Sequence, residues 1–176
     1  MDDVIQAAQH ALDNVDRTQI ATLTYVLRNT TGRVFILGNG GSHGAHMAAD
    51  LRKLGRVEAY AWGENPHDLT AYVNDLGWPS ACVNWLVDSH CGPRDTIIIL
   101  SVGGASREVS VNLKEAIYWA KGGPTVCGIV GAAGGYTAAH ADVTVVIPSF
   151  STPVVEGVTS VICHHIVNEI AACRPQ

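Results

Sequence analysis

The sequence predicts an α/β protein, a three-layer αβα sandwich built on a five-stranded parallel sheet with helices on both faces. Three observations predict it. Short apolar runs rich in β-branched residues alternate with segments of helical period, two of those runs stop at glycine-rich turns that lead into helices, and no long linker or repeat interrupts the order.

Residues 3–29 carry apolar side chains at Val4, Ala7, Ala8, Ala11, Leu12 and Val15, then at Ile20, Leu23, Val26 and Leu27, which is helical spacing with a break near Asn14 to Asp16. Two helices, or one bent helix, therefore start the chain. Residues 33–38, Arg-Val-Phe-Ile-Leu-Gly, read as a buried strand that ends at glycine. Gly38-Asn-Gly-Gly-Ser42 follows, then a helix over about 43–54, a strand over 57–62, a turn at 63–66, and helices near 67–75 and 80–90. Residues 95–101 are the most strand-like segment, followed by the second glycine-rich turn, Val102 to Ser106, and a helix over about 107–121. Strands at 125–131 and 142–147 complete the five, and a helix over about 153–172 closes the chain. One domain is expected over 1–176, with an N-terminal helical region at 1–30 and an α/β core at 33–172.

Composition removes several function classes. A chain of 176 residues, 47% hydrophobic and 15% charged, can bury one core of ordinary size. No window approaches the roughly eighteen apolar residues a membrane span requires, and Met1-Asp2-Asp3 offers no basic region before an apolar segment, so a cytoplasmic protein without a membrane partner is expected. Eleven Lys and Arg against sixteen Asp and Glu give a net charge of −5 without a basic block, which argues against nucleic acid. The five cysteines, Cys82, Cys91, Cys127, Cys163 and Cys173, show no C-x-x-C spacing and read as free thiols. Trp62, Trp78, Trp85 and Trp119 share no spacing and read as core or interface, while His10, His67, His90 and His140 fit structural or solvent roles.

Glycines between a strand and a helix let several backbone N–H groups converge on one anion, and the helix N-terminus adds a favourable dipole. Both turns combine this pattern with serine: Ser42 in the first, Ser101 and Ser106 in the second. The order is neither G-x-G-x-x-G nor G-x-x-x-x-G-K-[ST], so a dinucleotide fold and a P-loop are excluded. On the helix that leaves the first turn, His46 and Asp50 lie four apart and share a face. Such a pair can bind a metal ion or act as acid and base.

Gly38-Asn-Gly-Gly-Ser42, His46-Met-Ala-Ala-Asp50-Leu51, the segment 69–77, Ser101 to Ser106, Ala141-Asp142 with Ile147-Pro148-Ser149, and Val154-Val-Glu156 with His164 resemble the sugar isomerase (SIS) fold, which is flavodoxin-like. Within it they look most like the phosphoheptose isomerases, also called sedoheptulose 7-phosphate isomerases, from about Val34 to Ile170. The resemblance implies a metal-assisted aldose–ketose isomerase of carbohydrate metabolism that makes a heptose phosphate through an enediol. It implies Asp50 and His164 as catalytic groups and His46, Asp50, Glu156 and His164 as ligands of Zn²⁺ or another divalent ion, with no organic cofactor. It further implies Asn39, Gly40, Gly41, Ser42, Asn74, Asp75, Ser101 and Ser106 as contacts of a small sugar phosphate, in a homotetramer or homodimer with sites at subunit interfaces.

Glu156 and His164 are eight residues apart, about 12 Å along a straight helix, which is too far to grip one ion unless Glu156 precedes the helix or the two come from different subunits. The sequence departs from the family at Val102 and Gly103, where hydroxyls are usual; Arg107 reads either as a substitute for the lost contacts or as a solvated residue at the helix start. It also departs in the three residues between Ser42 and His46 where five are usual, at Asp50 where glutamate is common, at Thr159 for a histidine, and at Ala133 for an aspartate. The changed second turn would suit an alternative, a non-catalytic SIS-type sugar-phosphate-binding or regulatory protein, or an isomerase of a different phosphosugar; the retained His46, Asp50, Glu156 and His164 oppose the non-catalytic reading.

Overall fold

The computed structural model describes residues 3–40 and 43–173. Its elements are α1 (Val4–Asn14), α2 (Arg17–Asn29), β1 (Val34–Gly38), α3 (His43–Lys53), β2 (Ala59–Ala61), α4 (Pro66–Leu76), α5 (Trp78–Asp88), β3 (Thr96–Ser101), α6 (Val111–Trp119), β4 (Thr125–Val130), α7 (Gly135–His140), β5 (Val143–Val146) and α8 (Thr152–Ala172). The five strands form one parallel sheet in the order β2-β1-β3-β4-β5. The expected α/β sandwich is therefore the observed architecture.

The two faces follow from the period of two along each strand. Val34, Ile36, Ile98, Cys127, Ile129 and Val145 point to the side covered by α1, α2, α3 and α8. Phe35, Leu37, Ile97, Ile99 and Val126 point to the other, against α5 and α6. Burial on both faces explains why these strands read as continuous apolar runs rather than alternating ones.

The break between α1 and α2 has a local cause. Asp16 accepts a hydrogen bond from the Thr18 N–H at 2.8 Å and caps α2, while Val15 is extended and buried in the core. One helix start and one whole helix depart most from expectation. The helix after the second turn begins at Val111 rather than near 107, because Ser106 closes a local loop: its hydroxyl accepts the N–H groups of Glu108 and Val109 at 3.2 and 2.9 Å. The short α7 had no sequence signal. It has only six residues and starts at two successive glycines, both with positive φ, so no apolar period marks it.

At the end of the sheet opposite the glycine-rich turns, Asp95 joins the starts of β1 and β3. Its carboxylate accepts the N–H groups of Arg33 and Gly92 at 2.7 and 2.8 Å and pairs with the Arg33 guanidinium at 3.1 Å, which also donates to the carbonyls of Ser89 and His90. Burial pushes the carboxyl upward, but the Arg33 and Gly92 hydrogen bonds outweigh it and hold the group below its ordinary range. A carboxyl whose native value is depressed stabilises the fold above its unfolded value, about 3.9, and that contribution is lost as pH falls through the native value. Asp95→Asn is expected to cost about 2 kcal/mol at neutral pH and to flatten the acid limb of the stability curve. Urea melts from pH 7 down to pH 2 measure this, and an unchanged acid limb would contradict it.

Candidate functional site

β1 and β3 are neighbours in the sheet, with Gly38 opposite Leu100, yet the chain leaves them to opposite faces, toward α3 from β1 and toward α6 from β3. That is the switch in strand order where open α/β sheets leave a crevice beyond the strand ends. A cavity of about 190 Å³ lies there, and its walls include Asn39, Ser101, Gly103, Ser110, Glu156 and Thr159.

The first turn is fastened to the start of α6 by a pair of amides. Asn39 Nδ2 donates to Asn112 Oδ1 at 2.9 Å, and Asn112 Nδ2 donates back to Asn39 Oδ1 at 3.0 Å. Asn112 is fully buried and also donates to the Cys82 sulfur at 3.1 Å. Burial pushes that thiol up to about 12, so it remains a neutral acceptor.

Of the serines in the second turn, Ser101 lines the cavity and Ser106 does not; its hydroxyl is engaged by its own loop. Ser110 lies in the wall instead. It precedes α6 with φ 59°, and its side chain makes no capping bond to the helix. A serine directly before the apolar run of α6 is an N-cap signal, which was available in the sequence. Arg107 is exposed and outside the wall. Gly40 is exposed with φ 74°, whereas Gly41 and Ser42 lie outside the described residues. Asn74 and Asp75 are exposed near the end of α4, bonded to each other at 2.7 Å, and neither borders the cavity.

Beside the cavity, α3 packs along α8 and brings three side chains together. His46 Nε2 stands 3.2 Å and His164 Nδ1 3.4 Å from the same Asp50 oxygen, with the two imidazole rings 5.0 Å apart edge to face. The imidazoles are 62% and 52% exposed while the carboxylate between them is 22% exposed, so the acid is held at the base of an open notch. Glu156 is the fifth residue of α8 and thus inside the helix, which removes the option that it precedes it. It faces the cavity rather than this group. His43, not anticipated from the sequence, borders both the cavity and the notch. The signal was present, since His43, His46 and Asp50 are spaced i, i+3, i+7.

A phosphoheptose isomerase of Rhodospirillum rubrum is 32% identical to the chain over 132 residues, which are 71% of this chain and 68% of that protein. The chain belongs to the phosphoheptose isomerase family. Another member, from Syntrophotalea carbinolica, is 30% identical over 172 residues, 93% of this chain and 84% of that protein. The solved phosphoheptose isomerase of Neisseria gonorrhoeae shares the fold with a TM-score of 0.83 at 24% identity, over 95% of this chain and 93% of that one. That of Francisella tularensis does so with 0.81 at 20% identity, over 96% and 92%. No profile of a known protein family matches the chain.

The residues present fit the divalent metal that the phosphoheptose isomerase resemblance implies. Bonds of 2.0–2.2 Å in tetrahedral geometry put ligand atoms about 3.3–3.5 Å apart. The Asp50 oxygen lies at 3.2 and 3.4 Å from the two imidazole nitrogens, and all three lie within 4.8 Å of one another. Two imidazoles and one carboxylate also match the donor chemistry of a zinc site that keeps an open position.

Proposed function

We propose that this chain is an aldose–ketose isomerase that converts sedoheptulose 7-phosphate, or a similar long-chain ketose phosphate, to D-glycero-D-manno-heptose 7-phosphate. The observation that carries the reading is the Asp50 carboxylate held between His46 and His164 beside the cavity at the strand switch, in a chain of this family.

The phosphate is taken up by the two turns. Backbone N–H groups of Asn39, Gly40, Gly41 and Ser42 and the hydroxyl of Ser101 receive it, with Ser106 supporting the second turn. Ser110 brings a further hydroxyl from the far end of that turn, which answers the missing hydroxyls at Val102 and Gly103 and weakens the non-catalytic alternative. Asn74 and Asp75 bear on the sugar from α4, outside the cavity wall.

At the reacting end, Asp50 takes a proton from C1 of the ketose. The electron pair forms the C1–C2 double bond, and charge moves onto the C2 oxygen, giving an enediolate. Return of a proton to C2, assigned to His164, and loss of the C1 hydroxyl proton give the aldose. When held by His46, Asp50 and His164, with Glu156 completing the set, a Zn²⁺ or similar ion supplies Lewis-acid polarisation of the carbonyl. Because Glu156 stands about 12 Å along α8 from His164, we assign it to the notch of a neighbouring copy in a homotetramer or homodimer.

The test is incubation of the metal-replete protein with sedoheptulose 7-phosphate in D₂O. Aldose product carrying deuterium at C2 is the expected result. Exchange without net product would move the assignment to another sugar phosphate, and neither exchange nor product would overturn the isomerase reading.

A further inference from the structure

Among the described residues, His43 is the one that borders both compartments of the site. It starts α3, is half-buried, and faces the cavity with Ser101 and Glu156 on one side and the notch of His46, Asp50 and His164 on the other. Spacing fixes this position. Seven residues of helix set His43 about 10 Å along α3 from Asp50, on the same face and toward the phosphate-binding turns. A sugar phosphate anchored in the cavity and reaching Asp50 with its reacting carbons has to pass the His43 ring. Among the described residues none hydrogen-bonds to that ring.

We infer that His43 is a further catalytic residue, whose ring N–H hydrogen-bonds to the reacting carbonyl oxygen and stabilises the charge that gathers there as the enediolate forms. The inference rests on the isomerase reading above. A neutral imidazole suffices, since one nitrogen donates while the other accepts from a neighbouring hydroxyl of the sugar. The ring gives up no proton in the step. Its donor is worth most where charge develops, because a pre-placed donor in a partly enclosed site needs no reorganisation at that moment.

The experiment compares the full-length, zinc-replete wild type with His43→Ala and His43→Gln, measuring kcat and KM for sedoheptulose 7-phosphate, Zn²⁺ affinity by competition with a chelator, and inhibition by inorganic phosphate. His43→Ala is expected to lose about 100-fold in kcat, as for removal of one oxyanion donor, with KM within about threefold. His43→Gln, which keeps an N–H donor, is expected to recover about tenfold of that loss. Zinc and phosphate affinities are expected to stay at wild-type values. A kcat within about threefold of wild type for His43→Ala would overturn the inference. So would a loss of zinc or phosphate affinity in step with kcat, which would make His43 a metal ligand or a prop of the turn. A wild type that forms no aldose would overturn the isomerase reading and this inference with it.

Discussion

Asp50→Asn is expected to lower isomerisation of sedoheptulose 7-phosphate by about 10³-fold, within the range for loss of a general base, while the protein melts within a few degrees of wild type. The amide matches the carboxylate in size but has no lone pair basic enough to take a proton from carbon. Asp50 is partly exposed in an open notch, and its partners are two imidazoles that can turn to water, so the fold has little to lose from the change. Deuterium uptake should fall with product formation, since both depend on the same proton removal. Rates and mass spectra of product formed in D₂O check this. A variant with wild-type turnover would place the base elsewhere, and Glu156 on the cavity wall would be the next carboxylate to replace.

Gly104→Ala should be the most damaging single-methyl change in the second turn. Gly104 has φ 69°, and a Cβ there would overlap the carbonyl of Gly134, which is backbone and has no side chain to swing aside. The turn is fixed in that place because the Gly104 carbonyl accepts both the N–H and the hydroxyl of buried Thr137, each at 2.8 Å. The left-handed conformation costs a residue with a Cβ about 1–2 kcal/mol, and separating the two backbones raises the total to roughly 3–4 kcal/mol. For a chain of this size that corresponds to a melting temperature lower by about 10 °C. Gly103→Ala is the matched control, because a Cβ at Gly103 meets nothing within 4 Å. Thermal melts of the two variants should separate them, and equal melting temperatures would refute the close-approach argument.

The fold was legible because its determinants are local. Val34 and Ile36 against Phe35 and Leu37 announce a strand buried on both faces, and Asp16 announces the start of α2. The i,i+4 relation of His46 and Asp50 was legible for the same reason. The approach of His164 to Asp50 was not, since it depends on how α3 and α8 lie together across a long stretch of chain; only the family resemblance suggested it. Serines stand at both Ser106 and Ser110, and composition alone gives no reason to prefer one. The choice comes from the backbone, where Ser106 folds onto its own loop while the left-handed Ser110 stands in the cavity wall. Glu156 shows the opposite case, because its distance from His164 along α8 was readable from residue count alone.

The group of His46, Asp50 and His164 and the cavity differ in what carries them. His46, Asp50 and His164 ride on two helices whose inner faces are sunk in the core through Met47, Ala48, Leu51, Ile162, Cys163 and Ile166. The glycine-rich end is made largely of turn backbone, held among the described residues by the Asn39–Asn112 amide pair and by hydrogen bonds from Gly131, Tyr136 and Thr137 to the carbonyls of Val102, Ala105 and Gly104. Substitutions at open turn positions such as Gly103, where a Cβ meets nothing within 4 Å, can therefore be made without moving His46, Asp50 and His164. Under the isomerase reading, replacements at such open turn positions would alter the sugar accepted before they altered the step performed on it.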